Sequence, residues 1–132
     1  METDAAKRKA TPVYSGFLAY FPDAIAEVAR LSMDGNEQHN PGSPLHWDRS
    51  KSGDELDALA RHLLDNAKDG GIDHLRAVAW RAMAQLQKAL EKQNSKTQKI
   101  AAANDLRREH ATLGWSPPTR RDIQSYIERL NA

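Results

Sequence analysis

Apolar residues recur at helical spacing twice in the middle of the chain, on either side of Gly70 and Gly71. In the first stretch Leu56, Leu59, Ala60, Leu63, Leu64 and Ala67 share a face, with Asp54, Asp57, Arg61, Asp65 and Lys68 opposite. In the second, expected over 72–92, Leu75, Val78, Ala79, Ala82, Met83, Leu86, Ala89 and Leu90 form the main stripe. Ala77, Trp80 and Ala84 make a smaller strip near Asp73, which predicts a helix contacted on two sides, by its own core and by another subunit. Two amphipathic helices joined by a glycine turn bury their stripes by packing helix on helix. The expected fold is therefore all-α, a small bundle of about five helices, assembling as a homo-oligomer.

The remaining segments are read from their punctuation. Residues 1–11 are charged and small, a composition suited to a flexible lead. Pro22 and Asp23 open a helix expected to reach Met33 and to stop at Gly35. Residues 36–52 lose all periodicity but keep Leu45 and Trp47, which predicts a long, ordered loop between the first two helices and makes it the leading functional candidate. Ser52 and Glu55 have capping-box spacing, so the next helix should begin directly after Ser52 and run to about Lys68. Residues 92–99 are polar and read as a linker or a weak helix continuation. A helix over 100–113 then stops at Gly114, and Thr119 with Asp122 caps a last one bearing Ile123, Tyr126, Ile127 and Leu130. The organisation expected is a lead (1–11), a helical core carrying the site (12–92) and a C-terminal helical extension (93–132).

Composition narrows the chemistry. With no cysteine in 132 residues, thiolate metal sites and cysteine nucleophiles are excluded, leaving His and carboxylates as possible metal ligands. Nineteen Lys and Arg against 18 Asp and Glu give no global basic excess, so nucleic acid is not an expected partner and any anion site must be local. No signal peptide or apolar span of membrane length is visible, which predicts a soluble, cytoplasmic protein without a membrane partner.

Titratable side chains crowd the middle third. His62 and Asp65, three apart on a helix, can hold a cation or orient an imidazole; equally, Asp57, Arg61 and Asp65 can form an exposed charge ladder with His62 at its edge. Asp73 suits a helix N-terminus as a simple cap, and a short antiparallel connection would bring His74 within reach of Asp65. The loop adds His39, His46, Arg49 and Lys51, and cations beside a helix N-terminus suit a phosphate. Carboxylates, imidazoles and local cations together fit a magnesium- or manganese-dependent phosphohydrolase.

The order Gly35, His39, Asn40, Trp47, Asp54, Arg61, His62, Asp73 and His74 resembles a phage-encoded family, the dATP/dGTP diphosphohydrolase N-terminal domains, over roughly residues 21–91. The resemblance implies an all-α nucleotide pyrophosphohydrolase related to the MazG-like enzymes, taking pyrophosphate from a purine deoxynucleoside triphosphate with a divalent metal in the host cytoplasm. Those relatives use E-x-x-E followed by E-x-x-D; here Asp54 with Asp57 is the nearest substitute for the first pair, and only Asp73 stands for the second. The expected metal ligands are Glu27, Asp54, Asp57, Asp65 and Asp73. Arg49, Lys51, Arg61 and His46 are expected at the phosphates, Trp47 at the base, and His62, His39 and His74 in orientation or proton transfer. The alternative is a non-catalytic phage protein that binds a nucleotide or a host protein through the 35–52 loop. The tail also has a passing likeness to the opening of a winged-helix DNA-binding domain, but no recognition helix follows it.

Overall fold

A computed structural model of the chain describes residues 4–132. The described residues form five α-helices and no strand: α1 (Ala5–Lys9), α2 (Pro22–His39), α3 (Glu55–Asp69), α4 (Ile72–Thr112) and α5 (Arg120–Leu130). One wider helical turn spans Tyr14–Leu18, closed by Ala19 N–H on the Tyr14 carbonyl at 2.9 Å. The all-α class read from the periodicity is the observed one. None of the described helices is long and apolar enough to cross a membrane.

Several boundaries differ from expectation, each for a local reason. Residues 1–3 of the expected lead lie outside the described residues, and α1 follows because the Asp4 carboxylate accepts the Ala6 and Lys7 N–H groups at 2.8 and 3.2 Å. Helix α2 runs through Gly35 to His39. An interior glycine costs only about 0.5 to 1 kcal/mol relative to alanine, and the next residue, Asn36, is buried and donates its side-chain amide to the Ser43 carbonyl at 3.1 Å. At 92–99, read as a linker or a weak helix continuation, the second holds: α4 continues without interruption, since no glycine or proline lies between Gly71 and Gly114 and its lysines and glutamines are good helix formers. The cap of α3 falls on Asp54, two residues later than Ser52. Gly70 (φ +69°) and Gly114 (φ +71°) take the left-handed conformation that ends a helix, and Thr119 with Asp122 forms the expected capping box of α5.

The chain divides into two compact units, Met1–Gln85 and Leu86–Ala132. In the first, α3 and the beginning of α4 form an antiparallel hairpin whose register is fixed by three side-chain contacts: Glu55 with Arg81, His62 with His74, and Asn66 with the Gly71 carbonyl. Each step forward along α3 is matched by a step back along α4. Helix α2 joins through Arg76, which donates to Glu27 at 3.3 Å.

The inner face of this hairpin is not the leucine stripe. Ala58, Ala77 and Ala84 are buried together with Glu55, whereas Leu56, Leu63, Leu64, Leu75 and Met83 are exposed. The smaller strip of Ala77, Trp80 and Ala84 thus faces the unit's own interior. Small side chains at the contact let the helices approach closely, so polar residues at the same level meet their partners across it. In the second unit Ala102, Ala103 and Leu106 are buried along α4, and Ile123, Tyr126 and Ile127 of α5 are half-buried; Leu130 is exposed.

Candidate functional site

The segment 40–54 between α2 and α3 is ordered by its own polar groups. Lys51 Nζ donates to Asn40 Oδ1 at 2.9 Å, and one Asp48 oxygen accepts the Ser50 N–H and hydroxyl at 2.9 and 2.6 Å. Those Ser50 bonds hold the Asp48 carboxyl below its ordinary range. His46 lies 3.0 Å from the Pro44 carbonyl, so its Nδ1–H donates there. Trp47 meets Trp80 of α4 edge-on at 5.6 Å, and the Arg49 guanidinium sits 4.2 Å from the Trp47 ring centre. The loop is thereby pinned to α4 by an aromatic contact and carries Arg49 on its indole. His39 and His46 are exposed.

Across the α3–α4 hairpin lie two polar clusters. In one, Arg81 Nη1 donates to Glu55 Oε2 at 2.7 Å and to the Ser52 hydroxyl oxygen at 2.9 Å, while that hydroxyl donates to Glu55 at 2.9 Å. In the other, His62 Nδ1 and His74 Nδ1 are 3.3 Å apart, and His74 Nε2 is 3.1 Å from Asp69 Oδ2. The second Asp69 oxygen accepts the Gly71 N–H at 2.7 Å, and Gly71 in turn accepts from the Asn66 amide at 3.0 Å. Chiefly the Gly71 N–H, and then His74, keep the Asp69 carboxyl below its ordinary range. His74 thus reaches Asp69 rather than the Asp65 its spacing suggested.

The expected charge ladder is also rewired. Arg61 pairs with Asp54 at 2.9 Å rather than with Asp57 or Asp65, and Asp65 pairs with Lys68 at 3.4 Å. The Arg61 bond, followed by one from Ser52, lowers the Asp54 pKa. Asp73 is bonded by Arg76, and Glu27 by Arg30 and Arg76. Glu27, Asp54, Asp65 and Asp73 therefore each face a cation, and Asp57 stands exposed on α3. Among the described residues no three His, Asp or Glu side chains converge as metal ligands. As arranged among the described residues, these carboxylates are engaged by cations rather than grouped as ligands for a divalent ion.

His62 and His74 stand out in the sequence, and Glu55 only as a cap; Asp69, Arg76 and Arg81 do not. For Asp69 a signal was available: an aspartate two residues before a turn N–H is a common side-chain-to-backbone acceptor. Its register with His74 needed the hairpin.

These elements define a small all-α protein with an imidazole pair on a helical hairpin and a cation-bearing, tryptophan-anchored loop. The chain belongs to the family described as dATP/dGTP diphosphohydrolase, N-terminal, which matches residues 2–98. No curated protein and no solved structure matches it. The match takes in the loop, α3 and the part of α4 that carries His74; α5 lies beyond it.

Proposed function

We propose that the chain is a nucleotide pyrophosphohydrolase that converts a purine deoxynucleoside triphosphate to the monophosphate and pyrophosphate. The observation that carries this reading is the family match over 2–98, which spans both the loop and the His62–His74 pair. On this reading Arg49, Lys51 and Arg61 exchange their present partners for phosphate oxygens, Trp47 offers a ring face to the base, and the half-buried imidazoles handle the proton. His39 and His46 lie at the substrate's approach. Magnesium or manganese arrives on the triphosphate, because Mg²⁺ is commonly held through substrate phosphates with few protein ligands; it would neutralise phosphate charge. The reaction would serve phage nucleotide metabolism in the host cytoplasm.

The test is an incubation of the full chain with each deoxynucleoside triphosphate and Mg²⁺ or Mn²⁺, with pyrophosphate measured. Release from dATP or dGTP is expected; no release from any of the four by folded protein overturns the proposal. The non-catalytic reading draws support from the cation-paired carboxylates. It wins if a nucleotide or a host protein binds equally well in EDTA and no product forms.

The exposed leucine stripe supports a homo-oligomer on the same reading. Leu56, Leu63 and Leu64 are 61%, 51% and 63% exposed on one helix, a contiguous apolar face that a second copy would cover. Replacing Leu63 and Leu64 together by Glu should shift the sedimentation coefficient to that of a 14.7 kDa monomer. Trp80→Ala should leave it unchanged, since Trp80 packs on Trp47 within the chain. An unchanged coefficient in the leucine variant sinks the assembly.

A further inference from the structure

We propose that Asp69, acting through His74, fixes the tautomer of His62 so that His62 Nε2 is presented as a bare, basic nitrogen at the end of a three-residue proton relay. Hydrogen-bond parity along the three side chains fixes where each proton sits. An ionised carboxylate only accepts, so at 3.1 Å from Asp69 Oδ2 the His74 Nε2 must carry a proton. A neutral imidazole has one N–H, which leaves His74 Nδ1 as an acceptor. The contact of 3.3 Å between the two Nδ1 atoms is then attractive only if His62 Nδ1 donates. That uses the single proton of His62 and leaves its Nε2 as a lone pair.

That nitrogen is not fully enclosed. It has no hydrogen-bond partner among the described residues, and the buried polar atoms without partners are Asn36 Oδ1 and Arg76 Nε, so His62 Nε2 is not shut in. The far end of the chain is anchored. Asp69 is held by the Gly71 N–H, and Gly71 by Asn66, which makes the carboxylate part of the turn rather than a mobile surface group. The charged groups beside the pair on the two helices are already compensated: Asp65 by Lys68 and Asp73 by Arg76.

The use of this relay in catalysis rests on the pyrophosphohydrolase reading; the tautomer does not. As a water oxygen bonds to phosphorus, its proton moves to His62 Nε2, and the His62 Nδ1 proton passes to His74 Nδ1. The charge then rests on a His74 imidazolium against Asp69. The phosphoanhydride P–O bond breaks with its electron pair on the leaving pyrophosphate. The proton returns along the same path and leaves from Nε2 to that oxygen or to solvent. Asp69 is a positioning residue, since it touches neither water nor phosphate.

The experiment is ¹⁵N imidazole NMR on the full chain at neutral pH, with resonances assigned from His62→Gln and His74→Gln. The native protein should show His62 protonated at Nδ1 and His74 at Nε2. Asp69→Asn can keep its oxygen on the Gly71 N–H while its amide donates to His74 Nε2. Both tautomers should flip, leaving a proton on His62 Nε2, and turnover should fall about 10² to 10⁴-fold. Asp69→Glu should restore the native pattern and part of the rate. Finding His62 protonated at Nε2 in the native chain, or unflipped tautomers in a folded Asn variant, overturns the proposal. If the tautomers behave as stated and the native chain releases no pyrophosphate, the relay stands and the pyrophosphohydrolase reading falls.

Discussion

Arg81→Ala is expected to lower the unfolding free energy by about 3 to 5 kcal/mol, the range for removing one partner of a buried ion pair. Glu55 is 2% exposed and lies at the start of α3, where its carboxylate is bonded by Arg81 at 2.7 Å and by the Ser52 hydroxyl. Truncating Arg81 takes a cation from a carboxylate that is almost wholly buried. It also removes the bond to Ser52 that ties the end of the loop to α4. The loss should therefore show twice, as a lower urea midpoint and as earlier amide exchange in residues 50–54. A paired replacement, Glu55→Leu with Arg81→Met, removes both charges at similar volume and should recover most of the stability. Arg61→Ala, which breaks the exposed pair with Asp54, should leave the midpoint in place. Equal losses for Arg61→Ala and Arg81→Ala would show that burial does not set the strength of the Glu55 pair.

The same pair explains why the inside of the first unit was hard to read. A helical wheel reports that α3 is amphipathic, and it is; it does not report which side meets the chain's own next helix. Leu63 and Leu64 mark the more apolar side, yet the inward line is Glu55, Ala58, His62 and Asn66. That line becomes intelligible only beside its complement on α4, Arg81, Ala77 and His74. Local signals were sufficient where the structure is local. Gly70 and Gly114 end helices, Thr119 and Asp122 form the box their spacing promises, and the aperiodic stretch after His39 is an ordered loop. They misled at Gly35, which reads as a stop although α2 tolerates it; at 92–99, where the polar composition leaves a linker and a weak helix continuation both open, the helix continues because its residues form helix well. In the site, His62 and His74 were legible as chemistry-bearing residues. Their pairing through Nδ1 and the anchoring by Asp69 were not, because both depend on the antiparallel register set by the Gly70–Gly71 turn.

On the pyrophosphohydrolase reading, His62→Ala should reduce kcat by about 10² to 10⁴-fold, the contribution of a positioned general base. KM should change little, because an imidazole that acts on the attacking water contributes in the transition state rather than in binding the nucleotide. Arg49→Ala should do the reverse. Its guanidinium rests on Trp47 at the loop, outside the hairpin, so its loss should raise KM while kcat stays within a few-fold. Both variants should keep the native helical circular dichroism, since His62 is half-buried and Arg49 exposed. His62→Ala removes the nitrogen that takes the proton but leaves His74 bonded to Asp69, so the turn should also survive. Initial rates of pyrophosphate release across a nucleotide series separate the two effects. A His62→Ala protein with native kcat would remove the imidazole pair from the chemistry and return the site to its loop, where binding alone would then be its function.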